Sequence, residues 1–319
     1  MRIDEILAVM QVPGVGRETC KRFINHISNV ESSSYEELYS WLEEFSLKEK
    51  RVKLPEEYEF FNLVDKGRLI IENCECSNIH ILTESSGHWT AQLSNIKNSP
   101  VLLYAKGNLS AMQTAYKVAV IGTRTPTEHG AKVARRLGQV FAEEGLCVVS
   151  GLANGCDENG HIGALDAGGK TIAILPSPLD NIMPESNREL ADRIVSSGGL
   201  LLTEYGPGHA VQRGNYIERD RLQSALSQAV VVVETEKAGG TMHTVNFALE
   251  QKRLLACYRH SSKYSDVPQT EGNRMLLDEG TAIPVFDKYS LGDLISRIKK
   301  YELGESCCNG YEQLSLLSD

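Results

Sequence analysis

Seven short apolar runs dominate residues 118–286 and constrain the fold more than any other feature. They are VAVI (118–121), LCVV (146–149), TIAIL (171–175), LLL (200–202), VVVV (230–233), LLAC (254–257) and AIPVF (282–286). Most of the gaps between them hold one amphipathic helical pattern. Short β-branched runs that alternate with helices are typical of parallel strands buried on both faces. The sequence therefore predicts an α/β protein with a Rossmann-like, doubly wound, mainly parallel sheet.

The first 65 residues have a different pattern, which predicts a small helical domain. Apolar side chains recur at helical spacing on both sides of the turn at residues 13–16, whose sequence is PGVG. This arrangement is typical of a SAM-like or helix-hairpin-helix unit, whose turn amides can hold a phosphate, although an ordinary turn between two helices is the alternative. We further predict a connecting segment over 66–110 with short strands at 79–82 and 101–104, a Rossmann-like domain over 111–301 and a tail over 302–319.

The net charge of −9 argues against a protein that coats nucleic acid with its whole surface. The charge is unevenly distributed along the chain. Residues 117–136 contain one carboxylate, Glu128, and five basic residues, which are Lys117, Arg124, Lys132, Arg135 and Arg136. This basic run favours a local phosphate-binding groove, and a solvated helix face is the alternative.

The sequence contains no apolar stretch of membrane-spanning length and no signal-peptide pattern, so we expect a cytoplasmic protein without a membrane partner. Its eight cysteines suit a compartment in which thiols stay reduced. They form no C-x-x-C pair, and the pairs at 74 and 76 and at 307 and 308 are too closely spaced for a zinc clip. We therefore expect no bound metal.

Glycine-rich polar segments follow three of the apolar runs, at the strand ends where a doubly wound sheet binds its ligands. Together they predict a phosphate or nucleotide pocket, because glycine amides and helix amino termini favour anions. The pocket would comprise Gly122, Thr123, Ser150, Gly151, Gly155, Asp157, His161, Gly239, Gly240, Thr241 and Thr244. The alternative for the second segment is an N-capping Asp157 with a structural His161.

These segments and their order resemble the DNA-processing A family (DprA, also called Smf). VAVIGTRTPTEHG and VVSGLANGCDENGHIGAL are similar to the family's paired signature, in which strand-G-[ST]-R is followed by V-S-G-[LM]-A-x-G-I-D. Four later segments resemble further family motifs in the same order: GGKTIAILPSPLDNIMPESNREL, GGLLLTEYGPG, NYIERDRLQSALSQAVVVVETEKAGGTMHT and EGNRMLLDEGTAIPV. The likeness covers about residues 95–290.

The chain also departs from the family pattern. Asp220 stands where the family's R-N-R motif has asparagine, Cys156 where its G-I-D motif has isoleucine, and Met183 before Pro184 where it has tyrosine. The sequence CYRH at 257–260 replaces the usual Pro-Gly. We therefore expect a divergent member, without the small C-terminal winged-helix domain that many members have.

The resemblance implies sequence-independent binding of single-stranded DNA and its delivery to a RecA-type recombinase. At the matching positions it implies DNA contacts for Arg124, Arg188, Arg213, Tyr216, Arg219 and Arg221. The arginines would hold phosphates, and the tyrosine ring would stack on a base. For Arg219 and Arg221 the alternative is a salt bridge to Asp220, Glu218 or Glu234.

These motifs favour a non-enzymatic protein without a cofactor, because AGGTMHT lacks the nearby glutamate that similar Rossmann-type nucleotide hydrolases carry. The alternative function is a pocket that senses or hydrolyses a nucleotide-derived small molecule, and a scaffold without a basic pocket is a third class. The resemblance also implies a homodimer, for which we expect contacts from 254–257, 282–286 and the helix at 291–301.

Overall fold

The computed structural model describes residues 1–27, 34–264 and 266–301, so the predicted tail at 302–319 lies outside the described residues. The amino-terminal part is helical, with α1 (Ile3–Gln11), α2 (Arg17–His26), α3 (Tyr35–Lys48) and α4 (Glu57–Cys76). Phe23, Leu38 and Phe60 are fully buried among these helices. Burial of such large side chains stabilises a helical unit of this size, because each contributes roughly 1.5–3 kcal/mol.

One nine-stranded sheet forms the centre of the described chain. Its strands are β1 (His80–Thr83), β2 (Leu102–Gly107), β3 (Lys117–Ile121), β4 (Cys147–Ser150), β5 (Thr171–Ile174), β6 (Leu200–Thr203), β7 (Ala229–Val232), β8 (Leu254–Tyr258) and β9 (Ile283–Val285). They lie in the order β1-β2-β6-β5-β4-β3-β7-β8-β9. The β1–β2 and β2–β6 pairs are antiparallel, and the other pairs are parallel. The predicted fold class is therefore confirmed.

The remaining helices cover both faces of this sheet. They are α5 (Ala91–Ser94), α6 (Glu128–Glu143), α7 (Cys156–Asp166), α8 (Arg188–Ser196), α9 (Arg213–Ala225), α10 (Thr241–Glu250), α11 (Glu271–Asp278) and α12 (Lys288–Lys300). Val118 and Val120 of β3 pack with α6, α7 and α12, whereas Ala119 and Ile121 pack with α10 and α11. Both faces of β3 are thus apolar, which is why this strand appears in the sequence as a continuous apolar run.

The segment predicted as a connection, residues 66–110, contributes β1 and β2 to the sheet. Leu102 and Leu103 of β2 are buried in different apolar clusters, and β2 covers the edge of β6 that would otherwise be unpaired. Helix α4 also runs across the boundary predicted at residue 65. The segment is therefore part of the sheet and not a loose connection, while the domain boundaries stay a prediction.

The segments expected to form a dimer contact are largely used by the fold itself. Strand β8 lies inside the sheet between β7 and β9, and the apolar side of α12 packs against it through Leu294, Ile295 and Ile298. Of the apolar side chains in these segments, Phe286 remains half exposed, and the neighbouring Tyr289 is 74% exposed. None of the helices in the described ranges is long and apolar enough to cross a membrane.

The parallel strands all end at one edge of the sheet, which we call the carboxyl edge. From β3 the chain continues through β4, β5 and β6 in one direction, whereas β7, β8 and β9 lie on the other side of β3. The strand order therefore reverses between β3 and β7. Doubly wound proteins bind their ligands beyond the strand ends at such a switch point.

Candidate nucleic-acid interface

A cavity of about 570 Å³ opens at the switch point between β3 and β7. Its walls are the loop after β3, the segment from the end of β7 to the start of α10, and one face of α9. The structure brings eleven of the predicted site residues to this cavity: Gly122, Thr123, Arg124, Asp157, Arg213, Tyr216, Arg219, Gly239, Gly240, Thr241 and Thr244. It does not bring the other six to it, which are Ser150, Gly151, Gly155, His161, Arg188 and Arg221.

The loop after β3 is held tightly against the neighbouring strand end. The Thr123 amide donates to the Glu234 carbonyl at 2.8 Å. A Cβ atom at residue 122 would lie 2.5 Å from the Cys156 Sγ and 2.9 Å from the Glu234 carbonyl oxygen, so only glycine fits there. Arg124 follows Thr123 in this loop. Its side chain is exposed, and its Cζ atom lies 4.9 Å from the centre of the Tyr216 ring.

One face of α9 forms a second wall. Arg213, Tyr216, Asp220 and Gln223 all line the cavity, and their spacing of three and four residues places them on one side of the helix. Asp220 and Gln223 were not among the predicted site residues. The helical spacing from Arg213 and Tyr216 was the signal in the sequence that could have identified both.

A buried group of charges forms the floor of the cavity. The Arg219 Nη1 donates to the Ile174 carbonyl at 2.9 Å, and its Nε lies 3.0 Å from the Asp220 carboxylate, while Nη2 is 4.0 Å from Asp157. The alternative expected for Arg219, a salt bridge to Asp220, is therefore present. Because its side chain is only 6% exposed, Arg219 acts mainly on these carboxylates.

Burial also changes how these two carboxyl groups titrate. It raises the pKa of Asp220 to about 7, and it raises the pKa of Asp157, while the Arg219 guanidinium opposes both shifts. Asp220 accepts a hydrogen bond from the Gln223 amide at 3.1 Å, and Asp157 accepts one from the Gly151 amide at 3.1 Å. The charge of the cavity floor therefore depends on pH near neutrality.

Arg221 does not reach the cavity. Its Nη1 and Nη2 donate to the two carboxylate oxygens of Glu204 at 2.6 and 2.7 Å, and its Nε donates to the Asn98 carbonyl at 2.9 Å. The side chain is 2% exposed. Arg17 of α2 contacts the same carboxylate at 3.1 Å, so the helical region and the sheet are joined here. The expectation of a DNA contact at Arg221 is corrected, because its guanidinium is already bound inside the protein.

His161 and Ser150 also lie away from the cavity. The His161 Nδ1 is 2.7 Å from the Thr171 hydroxyl at the start of β5, which is the opposite end of that strand. Helix α7 runs back along the sheet from Asp157, so four further residues carry His161 away from the carboxyl edge. Burial lowers the pKa of its imidazole to about 3, and the ring is neutral. Ser150 is fully buried and donates to the Val120 carbonyl at 2.6 Å.

The remaining predicted positions are placed as follows. Gly155 has a φ of +86°, which favours glycine, and it starts α7 beside the loop after β3. Gly151 and Arg124 line a small neighbouring cavity of about 80 Å³. Arg188 is the exposed first residue of α8 and lines neither cavity.

The basic run at 117–136 does not form a single basic face. Lys117 is buried, and its Nζ donates to the Thr114 carbonyl at 2.7 Å. The other three besides Arg124 are paired with carboxylates: Lys132 with Glu128, Arg135 with Asp166 and Arg136 with Glu143. Only Arg124 of this run lines the cavity. The site therefore has less positive charge than the basic run in the sequence predicts, because carboxylates on neighbouring turns and helices pair with three of the five basic side chains.

The cavity itself combines both signs of charge. Arg124, Arg213 and Arg219 line it together with Asp157, Asp220 and Glu236. Within the described ranges, no group of three or more histidine, cysteine, aspartate or glutamate side chains is arranged to hold a metal ion. The arrangement provides two exposed guanidinium groups, an aromatic ring and the amino terminus of α10 at one opening.

Comparison with known sequences identifies relatives of this chain. The chain matches the family described as DNA recombination-mediator protein A over residues 80–297, more than half of its length. It is 31% identical to protein Smf of Synechocystis over 301 residues, which are 90% of this chain and 71% of that protein. It is 40% identical to the DNA processing protein DprA of Streptococcus pneumoniae over 161 residues, which are 50% of this chain and 56% of that protein.

Two solved structures are similar over most of the fold. The X-ray structure of DprA from Streptococcus pneumoniae has a TM-score of 0.71 and 27% identity, covering 92% of this chain and 98% of that one. A structure of DNA processing protein A from Helicobacter pylori, described for its single-stranded DNA binding mode, has a TM-score of 0.62 and 28% identity. It covers 70% of this chain and 97% of that one. The chain therefore belongs to the DNA recombination-mediator protein A family.

Proposed function

We propose that this chain binds single-stranded DNA, without sequence preference, at the cavity beyond the ends of β3 and β7. The observation that supports this most directly is the pair formed by Arg124 and Tyr216 at the opening, with 4.9 Å between guanidinium and ring centre. The guanidinium can fork onto phosphate oxygens, and the ring offers a face on which any base can stack. A cation beside an aromatic ring suits single-stranded nucleic acid, because each nucleotide presents a phosphate to the cation and a base to the ring.

Two further features of the cavity support an anionic ligand. Arg213 is exposed at the first turn of α9, where its side chain lines the same opening as Arg124. Gly239, Gly240 and Thr241 bring the amino terminus of α10 to the cavity, and free amides at a helix start favour phosphate. The similarity to the Helicobacter pylori protein, which is described as binding single-stranded DNA, points in the same direction.

Binding of oligothymidylate at a series of salt concentrations tests this proposal. A protein that neutralises several phosphates loses affinity linearly in log salt, by about 0.7 per phosphate contacted. We expect Arg124→Ala to lose roughly 10- to 100-fold in affinity and to reduce that slope by about one contact, because a hydrogen bond to a charged group contributes about 1.5–3 kcal/mol.

The matched control is Arg136→Ala, which removes an exposed arginine from α6 that pairs with Glu143 at 3.5 Å and does not line the cavity. It should bind oligothymidylate as the parent chain does. Equal affinities for the parent chain, Arg124→Ala and Arg136→Ala would rule out DNA binding at this cavity.

We also propose that the bound DNA is delivered to a RecA-type recombinase in the cytoplasm, and that the chain acts as a homodimer without a cofactor and without catalysing a reaction itself. The test is the DNA-dependent ATPase of a RecA-type recombinase on DNA already covered by a single-strand binding protein. The parent chain should shorten the lag before ATP hydrolysis, and Arg124→Ala should not.

Sedimentation tests the proposed homodimer. At micromolar concentration it should give twice the mass of 35.2 kDa, and a monomer would contradict the dimer.

A small-molecule pocket is the second candidate function, and the cavity's size and carboxylates favour it. Its volume of about 570 Å³ is typical of sites for small ligands, and Asp157 and Asp220 could accept hydrogen bonds from a ribose or a base. Calorimetry with mononucleotides distinguishes the candidates. Tight mononucleotide binding with negligible oligothymidylate binding at low salt would favour this function over DNA binding.

A further inference from the structure

We propose that single-stranded DNA continues from the cavity onto an aromatic and basic surface at the ends of β8 and β9. We call this surface the β8–β9 platform. It consists of His129, Tyr258, Arg259, Lys263, Tyr264 and Phe286. The inference rests on the proposed function, and it assigns DNA contacts to residues outside the cavity.

The platform lies on the same edge of the sheet as the cavity. Strands β3, β7, β8 and β9 are consecutive parallel neighbours, so their last residues share the carboxyl edge. With about 4.8 Å between neighbouring strands, the end of β9 is roughly 14 Å from the end of β3. Both surfaces adjoin the end of β7: Thr235 lines the cavity, and the Val233 carbonyl lies 2.9 Å from the His260 Nε2 behind the platform.

Cations and aromatic rings alternate across the platform. The Arg259 Cζ lies 5.3 Å from the centre of the Phe286 ring, and the Lys263 Nζ lies 5.1 Å from that of Tyr264. The Tyr264 ring is stacked on His129, with 4.2 Å between ring centres and 6° between planes. An exposed ring face with a positive charge beside it is the arrangement that holds a base and its phosphate, and Phe286 with Arg259 offers one.

The positive charges of the platform are available to a ligand. Arg259 and Lys263 are exposed, and neither forms an ion pair with a described residue. Of the carboxylates nearby, Asp266 is paired with Arg274 at 3.0 Å, and Asp287 caps the amino terminus of α12 by accepting from the Ser290 amide at 2.8 Å. Neither carboxylate is paired with Arg259 or Lys263, so both cations can meet a phosphate, whereas Arg219 in the cavity floor lies 3.0 Å from the Asp220 carboxylate.

These features favour a nucleic acid over a second copy of the chain as the occupant. Protein interfaces are depleted of lysine, whereas here Lys263 lies beside the Tyr264 ring. Strand β9 has only three residues and contains Pro284, which disfavours pairing with the edge of another sheet. Phe286 is half exposed, as expected for a ring that stacks on a base.

Binding of oligothymidylates of graded length, from roughly 4 nucleotides upward, tests the inference. Phe286→Ala and Arg259→Ala should bind the shortest oligomers as the parent chain does. Both should lose roughly tenfold in affinity for oligomers long enough to reach β9. Phe286→Trp should bind these long oligomers as tightly as the parent chain does, because it keeps an aromatic ring. The control is Tyr58→Ala, which removes a 66% exposed ring from α4 and should affect no length.

The outcomes separate this inference from the proposed function. Failure of every oligomer to bind the parent chain would overturn both. If the parent chain binds normally, and Phe286→Ala and Arg259→Ala bind as tightly as the parent chain at every length, the platform alone would be overturned. A lower sedimentation mass of unliganded Phe286→Ala would assign the platform to a contact between two copies of the chain, and would also overturn the inference.

Discussion

The guanidinium of Arg219 lies directly over the backbone of Gly151, so that a Cβ atom at residue 151 would overlap its Nη1 and Cζ atoms. The guanidinium has little freedom to move, since the Arg219 side chain is 6% exposed and donates to the Ile174 carbonyl at 2.9 Å. The Gly151 amide in turn donates to Asp157. Glycine is therefore required at 151 by the buried arginine that organises the cavity floor.

We predict that Gly151→Ala lowers the free energy of unfolding by about 1–3 kcal/mol, the usual cost of overpacking a buried site. Urea denaturation followed by circular dichroism would measure it. The control is Gly214→Ala in α9, where an added Cβ meets no atom within 4 Å and alanine should raise stability by about 0.5–1 kcal/mol. Equal stabilities for Gly151→Ala and the parent chain would contradict the packing described here.

The Arg221–Glu204 pair leads to a prediction about stability and not about binding. Removing one partner of a buried ion pair leaves an uncompensated charge, which typically costs about 3–5 kcal/mol. We expect about 3 kcal/mol from Arg221→Gln, because Arg17 still lies 3.1 Å from the remaining carboxylate. Urea denaturation measures this loss, and the folded variant should bind oligothymidylate normally. Unchanged stability with weakened DNA binding would instead assign Arg221 to the DNA site.

The strands could be predicted from the sequence because their signal is local. Each interior parallel strand is apolar on both faces, and the edge strand β9 lies within the run AIPVF, so each of the seven apolar runs lies within two residues of an observed strand. The role of β1 and β2 could not be predicted in the same way. The pairing of β2 with β6 depends on contacts across about a hundred residues, as Ala105 with Leu202 shows, and β1 joins the sheet only through β2. No local pattern in the sequence reports such a contact.

The candidate site could be predicted only in part, for a geometric reason. Arg219 and Arg221 belong to one short motif, yet two residues on a helix are about 200° apart, so one faces the cavity and the other faces Glu204. Asp157 and His161 share one face of α7 but are separated along its axis: Asp157 lies at the carboxyl edge, and His161 lies four residues back along the sheet. Motif position alone does not reveal the direction of a side chain.

The Tyr216 ring provides a test of stacking that is independent of charge. We expect Tyr216→Ala to lose roughly 5- to 100-fold in oligothymidylate affinity, because stacking on one base contributes about 1–3 kcal/mol. Tyr216→Phe should bind normally, since the ring face and its contact with Arg124 are retained. Fluorescence anisotropy at constant salt would measure both. A loss of affinity in Tyr216→Phe equal to that in Tyr216→Ala would indicate that the hydroxyl group, and not the ring, contacts the ligand.

We expect Asp220 to make the proposed DNA binding dependent on pH. Burial raises its pKa to about 7, from 3.8 in the absence of these surroundings, so the carboxyl group is largely neutral below pH 7 and ionised above it. Ionised Asp220 repels phosphate at a cavity that Arg124 and Arg213 make attractive. We therefore expect the affinity of the parent chain for oligothymidylate to fall as the pH rises from 6 to 8. The fall should be about fivefold, since one unit charge at 4 Å contributes about 1 kcal/mol in water.

Asp220→Asn should remove this pH dependence and bind at pH 8 as tightly as the parent chain binds at pH 6. The free energy of unfolding should also depend on the protonation of Asp220. A carboxyl group whose pKa is raised on folding stabilises the protein at low pH, and that contribution is lost as the pH rises from about 4 to about 7. The free energy of unfolding of Asp220→Asn minus that of the parent chain should therefore be larger at pH 8 than at pH 5, as measured by urea denaturation. A parent chain and an Asp220→Asn variant with the same pH profile for binding would show that Asp220 keeps one charge state in this range.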